Sequence, residues 1–331
     1  MKDQIRSTFR YNDQNVQRYP DHIVKYACPC CPDCFDSKDE LQKHIESHKI
    51  TFDDERPIGD DDWHIGDANI TQLFNTYKKH CIKNCSESNG IDKDFLQLLA
   101  ISSIIVIQKR TAYTDGPYQH INRMIWKEMY QTMAMEIGIY KLFNTTAAST
   151  IKQILCQYRD DILCKLEARL ALLFLAKSTT GPMKNVIFCL EALVHGSRDL
   201  NTTIESENEL EATVIHPFMF GLLVGDDEHR NARCANTALF DDDQCKRPDY
   251  VVEKYDGYDL DYRTCIGEIK TSNTTNSLLV TDFYRVALFC KAEMERHNMD
   301  GFLCFQAIGF EVTFYFMKPK SNLLTLTEVL G

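Results

Sequence analysis

The chain has 331 residues, 44% of them hydrophobic and 26% charged, with 37 Lys and Arg against 48 Asp and Glu for a formal net charge of −11. Such usage belongs to folded globular domains and excludes disordered, collagen-like and low-complexity architectures, while the acidic balance does not by itself announce a nucleic-acid binder. The longest apolar run, residues 95–107, is interrupted by Gln97, Ser102 and Ser103 and falls short of the ~20 residues a membrane helix needs, so no membrane partner is expected.

In chain order, residues 1–25 read as a polar arm. Met1 to Asn12 carries no apolar stretch, so no secretory signal is visible; the expected compartment is intracellular and reducing, with the cysteines as thiols or metal ligands. Residues 26–49 form a compact cluster of Cys and His. Residues 50–67 read as an acidic linker, marked by Asp53-Asp54-Glu55-Arg56-Pro57 and Gly59-Asp60-Asp61-Asp62. Residues 68–200 read as helical, since Ile151, Ile154, Leu155, Tyr158, Ile162, Leu163, Leu166 and Leu170 recur at three and four residues. Residues 201–331 change texture. A helix is expected over 205–224, strands over 249–255 and 263–270 around the turn Asp256-Gly257-Tyr258-Asp259, a helix over 277–297, and strands over 302–308 and 311–317.

Two motifs carry chemistry. In the first, two residues separate Cys28 from Cys31, twelve separate Cys31 from His44, and three separate His44 from His48. That is the ligand spacing of a tetrahedral zinc site. A cysteine knuckle on a hairpin offers two thiolates on one side, and histidines four apart share one helix face. The pair Cys31 and Cys34 has the same two-residue spacing but leaves only nine residues before His44, so the expected ligands of a structural zinc are Cys28, Cys31, His44 and His48. The segment resembles the Cys2His2 zinc-finger family throughout 26–49. The resemblance puts the base-facing helix positions −1, 3 and 6 at Ser37, Glu40 and Lys43. None is an arginine for guanine or an asparagine for adenine, so DNA is expected to be a weak partner of the finger and a protein contact an equal alternative.

In the second motif, Asp249 opens one strand and Glu268 and Lys270 lie two apart on its hairpin partner. Residues two apart on a strand share a face, which leaves Ile269 on the apolar side. Metal-assisted phosphodiester hydrolysis needs this set: carboxylates to hold a divalent ion and a lysine near the attacking water or the phosphate. These residues resemble the PD-(D/E)XK nuclease superfamily over about residues 205–317. The resemblance implies a core of helix, three strands, helix and strand, a Mg or Mn ion at Asp249 and Glu268, Lys270 at the nucleophile, and a glutamate of the first helix in the site, Glu207 in preference to Glu211. The segments Phe305-Gln306-Ala307-Ile308-Gly309 and Val312-Thr313-Phe314-Tyr315 are also similar to uncharacterised nuclease-like proteins of early-diverging fungi. Against this stands the charge of residues 201–331, 22 acidic and 12 basic side chains, where nucleases usually offer phosphates a basic track.

The expected fold class is α+β multidomain: a small ββα zinc finger, a helical middle region and an α/β restriction-endonuclease-like carboxy-terminal domain. The expected function is a zinc-binding nuclear protein with a metal-dependent nuclease domain acting on DNA. The alternative is a non-catalytic zinc-finger protein whose degenerate nuclease fold serves as an interaction scaffold. Lys270→Ala and Asp249→Ala are expected to abolish cleavage and leave the fold intact.

Overall fold

The computed structural model describes residues 26–27, 34–35, 37, 39–40, 43, 61–84, 91–109, 121–139, 145–196, 206–235 and 248–330. Cys28, Cys31, His44 and His48 lie outside the described residues, as do the arm of residues 1–25 and most of the acidic linker. The fold is mixed α/β. Its chain divides into two compact units, residues 1–136 with 317–328, and residues 137–316 with 329–331. Among the described residues no helix is long and apolar enough to cross a membrane.

In the first unit a short hairpin, β1 (Tyr26–Ala27) and β2 (Cys34–Phe35), pairs Tyr26 with Phe35 and Ala27 with Cys34. Ser37 follows, its Oγ accepting from the Glu40 N–H at 3.2 Å, which is how an N-cap satisfies a helix's first donors. A second hairpin, β3 (His64–Ile65) and β4 (Ala68–Asn69), leads into α1 (Ile70–Asn84), where Asn69 Oδ1 caps the Gln72 N–H at 2.8 Å. Helix α2 (Ile91–Ile101) then gives way, at Ser102 and Ser103, to strand β5 (Ile104–Ile107). The helical reading of 68–200 fails at β5 for a physical reason. Ile104-Ile105-Val106-Ile107 is a β-branched run with all four residues buried, stiff at χ1 and suited to a strand covered on both faces. Helix α3 (Arg123–Ile137) buries Trp126, Met129 and Met133.

The second unit begins with α4 (Thr145–Arg159), α5 (Lys165–Lys177) and α6 (Pro182–Gly196). They share a core of Ile151, Ile154, Leu172, Met183 and Ile187 among others, at the helical spacing expected. The next helix, α7 (residues 207–224), alternates α turns at Glu207–Leu210 and His216–Met219 with wider π turns at Glu211–Ile215 and Phe220–Val224. Pro217 explains the first widening: it lacks an N–H and its ring crowds the carbonyl one turn back, which a π turn relieves.

Strands β6 (Arg230–Cys234), β7 (Tyr250–Asp256) and β8 (Asp259–Lys270) run antiparallel in sequence. A two-residue turn joins β7 to β8, with Gly257 at φ 61, a value a side chain resists. Helix α8 (Asn276–His297) then supplies the crossover that lets β9 (Phe302–Ile308) lie parallel to β8. Strand β10 (Glu311–Lys320) lies beside β9; its last four residues and residues 323–328 of β11 (Leu323–Leu330) belong to the first unit, where β11 pairs parallel to β5.

One face of this sheet packs Tyr250, Val252, Cys265, Ile269 and Phe305 against Leu210, Ile215 and Met219 of α7. Gly267 is part of that packing: a Cβ there would sit 2.1 Å from the Phe305 ring. The β7–β8 register slips between Val252 and Glu253, so that Val252 faces Cys265 and Glu253 faces Arg263. The extra residue, Thr264, reverses the alternation, and Arg263 joins Glu268 and Lys270 on the face covered by α8.

Candidate active site

Three elements deliver the residues that the sequence singles out. Ser206 caps α7 by accepting from the Glu209 N–H, which holds Glu207 in the first turn. Asp249 precedes β7, and its Oδ2 accepts from the Ile269 N–H at 2.8 Å and from Lys270 Nζ at 3.0 Å. Glu268 and Lys270 end β8 on one face, with Ile269 buried in the opposite core, as period-two alternation requires. Lys270 Nζ stands 3.6 Å from each of Glu207, Glu268 and Asp282. Asp249, Glu268, Lys270 and Glu207 therefore converge. Glu211, one turn further along α7, shares a hydrogen bond with Cys234, and burial raises its pKa.

The structure adds residues that the sequence reading did not select. Asp282 of α8 reaches Lys270, and its Oδ1 accepts from Arg285 Nη1 at 3.1 Å. Arg285 Nη2 also stands 3.9 Å from Glu268. Gln306 of β9 pairs in register with Glu268 and donates to the Leu279 carbonyl at 2.8 Å. A signal for Asp282 existed: it lies in phase with Leu279, Phe283 and Val286 on the buried stripe of α8, where an acid without a purpose is costly.

Burial and like charge dominate the electrostatics. Glu268 and Asp282 are 1% and 2% exposed, and Glu268 Oε1 and Asp282 Oδ2 have no hydrogen-bond partner among the described residues. Burial, then the neighbouring Asp249 charge, pushes Glu268 well above the usual carboxylate range against a smaller pull from Arg285. Burial also raises Asp282, with Lys270 and Arg285 opposing. For Lys270 burial works against the charge, but Asp249, Asp282 and Glu268 outweigh it and keep the ammonium firmly protonated.

A second buried cluster on the same face makes the contrast. Glu253 accepts two bonds from Arg233 at 2.9 Å and one from the Tyr255 hydroxyl at 2.9 Å, while Arg263 donates to Glu293 at 2.7 Å. Two carboxylates meet two guanidiniums there. Burial would raise Glu253, but the hydrogen bonds from Arg233 and Tyr255 prevail and its pKa is lowered. At Lys270, four carboxylates meet two cations, and the buried acids are raised. The Glu253 cluster is a charge-balanced ion network; the Lys270 cluster carries surplus negative charge that calls for protons or a cation. A cavity of about 560 Å³ lined by Tyr262, Arg263, His297 and Leu303 borders the charge-balanced network and not Lys270.

Among the described residues no group of three or more His, Cys, Asp and Glu side chains forms a ready metal-holding set; the acids here are disposed around the Lys270 ammonium. Comparison with protein-family models, curated proteins and solved structures yields no match, so the chemistry of the site rests on its own geometry.

Proposed function

We propose that the second unit is a PD-(D/E)XK-type, restriction-endonuclease-like domain that hydrolyses DNA phosphodiester bonds with Mg or Mn. In the same proposal a structural zinc, held by Cys28, Cys31, His44 and His48, orders an amino-terminal finger that contacts DNA or a protein partner in the nucleus. The surplus of buried carboxylates around Lys270 carries the nuclease proposal. The order of elements supports it: α7, the antiparallel β6, β7 and β8, the crossover α8, and β9 parallel to β8. For the finger, the β1–β2 hairpin and the Ser37 cap are the supporting local geometry. That cap commits the Ser37 hydroxyl to the backbone, which favours a protein contact over base readout by this position.

The residues present fit a hard divalent cation. Mg keeps several waters and needs only one or two carboxylates, here Asp249, one-third exposed, and Glu268, buried beneath it. When bound, such an ion stabilises charge on the scissile phosphate and acidifies a coordinated water. Lys270, tied to Asp249 and to its neighbour's carbonyl, would direct an N–H at the attacking oxygen or the phosphate. Asp282 fixes Arg285, which stands 3.9 Å from Glu268, and Glu207, half-exposed at the rim, is positioned to orient water.

A non-catalytic scaffold has one observation in its favour: Lys270 is enclosed and bonded to Asp249 at 3.0 Å. Cleavage decides between the two. Full-length protein with Mg or Mn is expected to cut single-stranded or duplex DNA, and Asp249→Asn to reduce the rate by at least ~10²-fold, the scale of losing one transition-state electrostatic group. Equal cleavage by both proteins would mean a contaminating nuclease, and no cleavage by either would favour the scaffold.

A further inference from the structure

Helix α5 is apolar on both sides. Ala168, Leu172 and Ala176 are buried in the core shared with α4 and α6. On the other side Leu166 is 61% exposed, Leu170 44%, Leu173 40% and Phe174 71%, and Ile162 in the preceding turn is 66% exposed. Steps of four, three and one gather Leu166, Leu170, Leu173 and Phe174 into a single stripe on the helix, with Ile162 exposed in the turn before it. A helix with one buried face normally gives its other face to polar residues. The stripe presents on the order of 500 Å² of apolar surface, at the upper end of what monomers tolerate without a use for it. Its charged flanks are distinctive. Exposed Glu167 stands at the amino-terminal end and exposed Lys177 at the carboxy-terminal end, ten residues and about 15 Å apart.

We propose that this stripe is the contact face of a homodimer in which two copies of α5 pack antiparallel about a two-fold axis at the level of Leu172. In an antiparallel pair with two-fold symmetry, contacting residues have a constant sum of positions, and each contact occurs twice. Setting Glu167 against the partner's Lys177 also sets Leu170 against the partner's Phe174, and Phe174 against the partner's Leu170. One register thus satisfies both charge pairs and both apolar pairs, and sliding by a turn breaks the former. Glu167 Oε2 accepts from the Cys164 N–H at 2.8 Å in the helix's capping box, which fixes the negative charge at the amino-terminal end of the stripe. A lipid surface fits the stripe less well, because amphipathic helices on membranes carry a basic rim and exposed Asp160 and Asp161 stand beside Ile162. The stripe supplies a little over half of the roughly 800 Å² per partner found in standard interfaces, leaving the polar rim to provide the rest.

Light scattering of the full-length chain during size exclusion, at tens of micromolar, is expected to give twice the 38.3 kDa of one chain. Leu170→Asp combined with Phe174→Asp should give the single-chain mass with an unchanged circular dichroism spectrum, since both side chains are exposed, and a melting temperature that no longer rises with protein concentration. Lys177→Glu should weaken association about tenfold by setting like charges together twice, and adding Glu167→Lys should restore it. A single-chain mass for the wild type, or a dimer that survives the Asp substitutions, would overturn the proposal.

Discussion

Replacing Lys270 with alanine is expected to destabilise the metal-free second unit by about 3–5 kcal/mol at pH 8, the cost of stripping a buried charge cluster of one partner. The sequence alone suggests a cleft lysine whose loss spares the fold. The structure argues against that expectation: Lys270 is 7% exposed, is the nearest cation to Asp249 and Glu268, and stands 3.6 Å from Asp282. Without it three acids, two of them fully buried, face one another with Arg285 alone. The loss should shrink as pH falls from 8 toward 5, because burial raises the pKa values of Glu268 and Asp282 and so favours the protonated forms, which do not repel. Urea unfolding of wild type, Lys270→Ala and the stem-preserving Lys270→Met at both pH values separates charge from cavity. Stability of Lys270→Ala within 0.5 kcal/mol of wild type at pH 8 would show that the ammonium does not organise the cluster. For the same reason Asp249→Asn, at a one-third exposed side chain, is the cleaner probe of catalysis.

Zinc removal is expected to have the larger effect, confined to the finger. Structural zinc in peptides of this spacing is worth roughly 10–16 kcal/mol, far more than a segment of about two dozen residues recovers from its own apolar core. A chelator should therefore abolish amide protection within residues 26–49 in hydrogen exchange. Protection in α4, α5, α6 and the β7–β8 hairpin should stay within twofold, because those elements have their own cores. Elemental analysis of protein purified without chelator should give one zinc per chain. Absence of zinc, or equal protection with and without chelator, would count against the finger.

The parts of the site that the sequence displays are those governed by local period. Glu268 and Lys270 share a face because they are two apart on a strand, and Asp249 comes to them because Gly257 allows a tight hairpin. Asp282 and Arg285 depend on which side of α8 meets the sheet, a tertiary fact that their i, i+3 spacing does not reveal. The bulge at Thr264, which turns Arg263 toward Glu293, leaves no mark in the hydrophobic pattern. β5 was hidden for a different reason: residues 95–107 are apolar almost without interruption, and a continuous apolar run fits a buried strand and a buried helix equally well. The outward stripe of α5 was visible as period, but period cannot say which of two apolar faces is buried.

The cation site proposed at Asp249 and Glu268 is tested most directly by the dependence of thermal stability on manganese at two pH values. Glu268 has a raised pKa in the folded state. Its folded form therefore holds a proton that the unfolded chain releases above about pH 4.3. The stability this contributes is fully present below that pH and is lost as pH rises toward the folded pKa, at about 1.4 kcal/mol per pH unit for each proton. A divalent ion replaces that proton. With zinc held constant, manganese is expected to raise the melting temperature of the wild type at pH 8 and to have little effect at pH 5. Glu268→Gln, neutral at both, should show a shallower decline with pH, the raised Asp282 still contributing, and should lose the response to manganese, as should Asp249→Asn. An equal manganese shift in all three proteins, or none in the wild type at pH 8, would contradict the account.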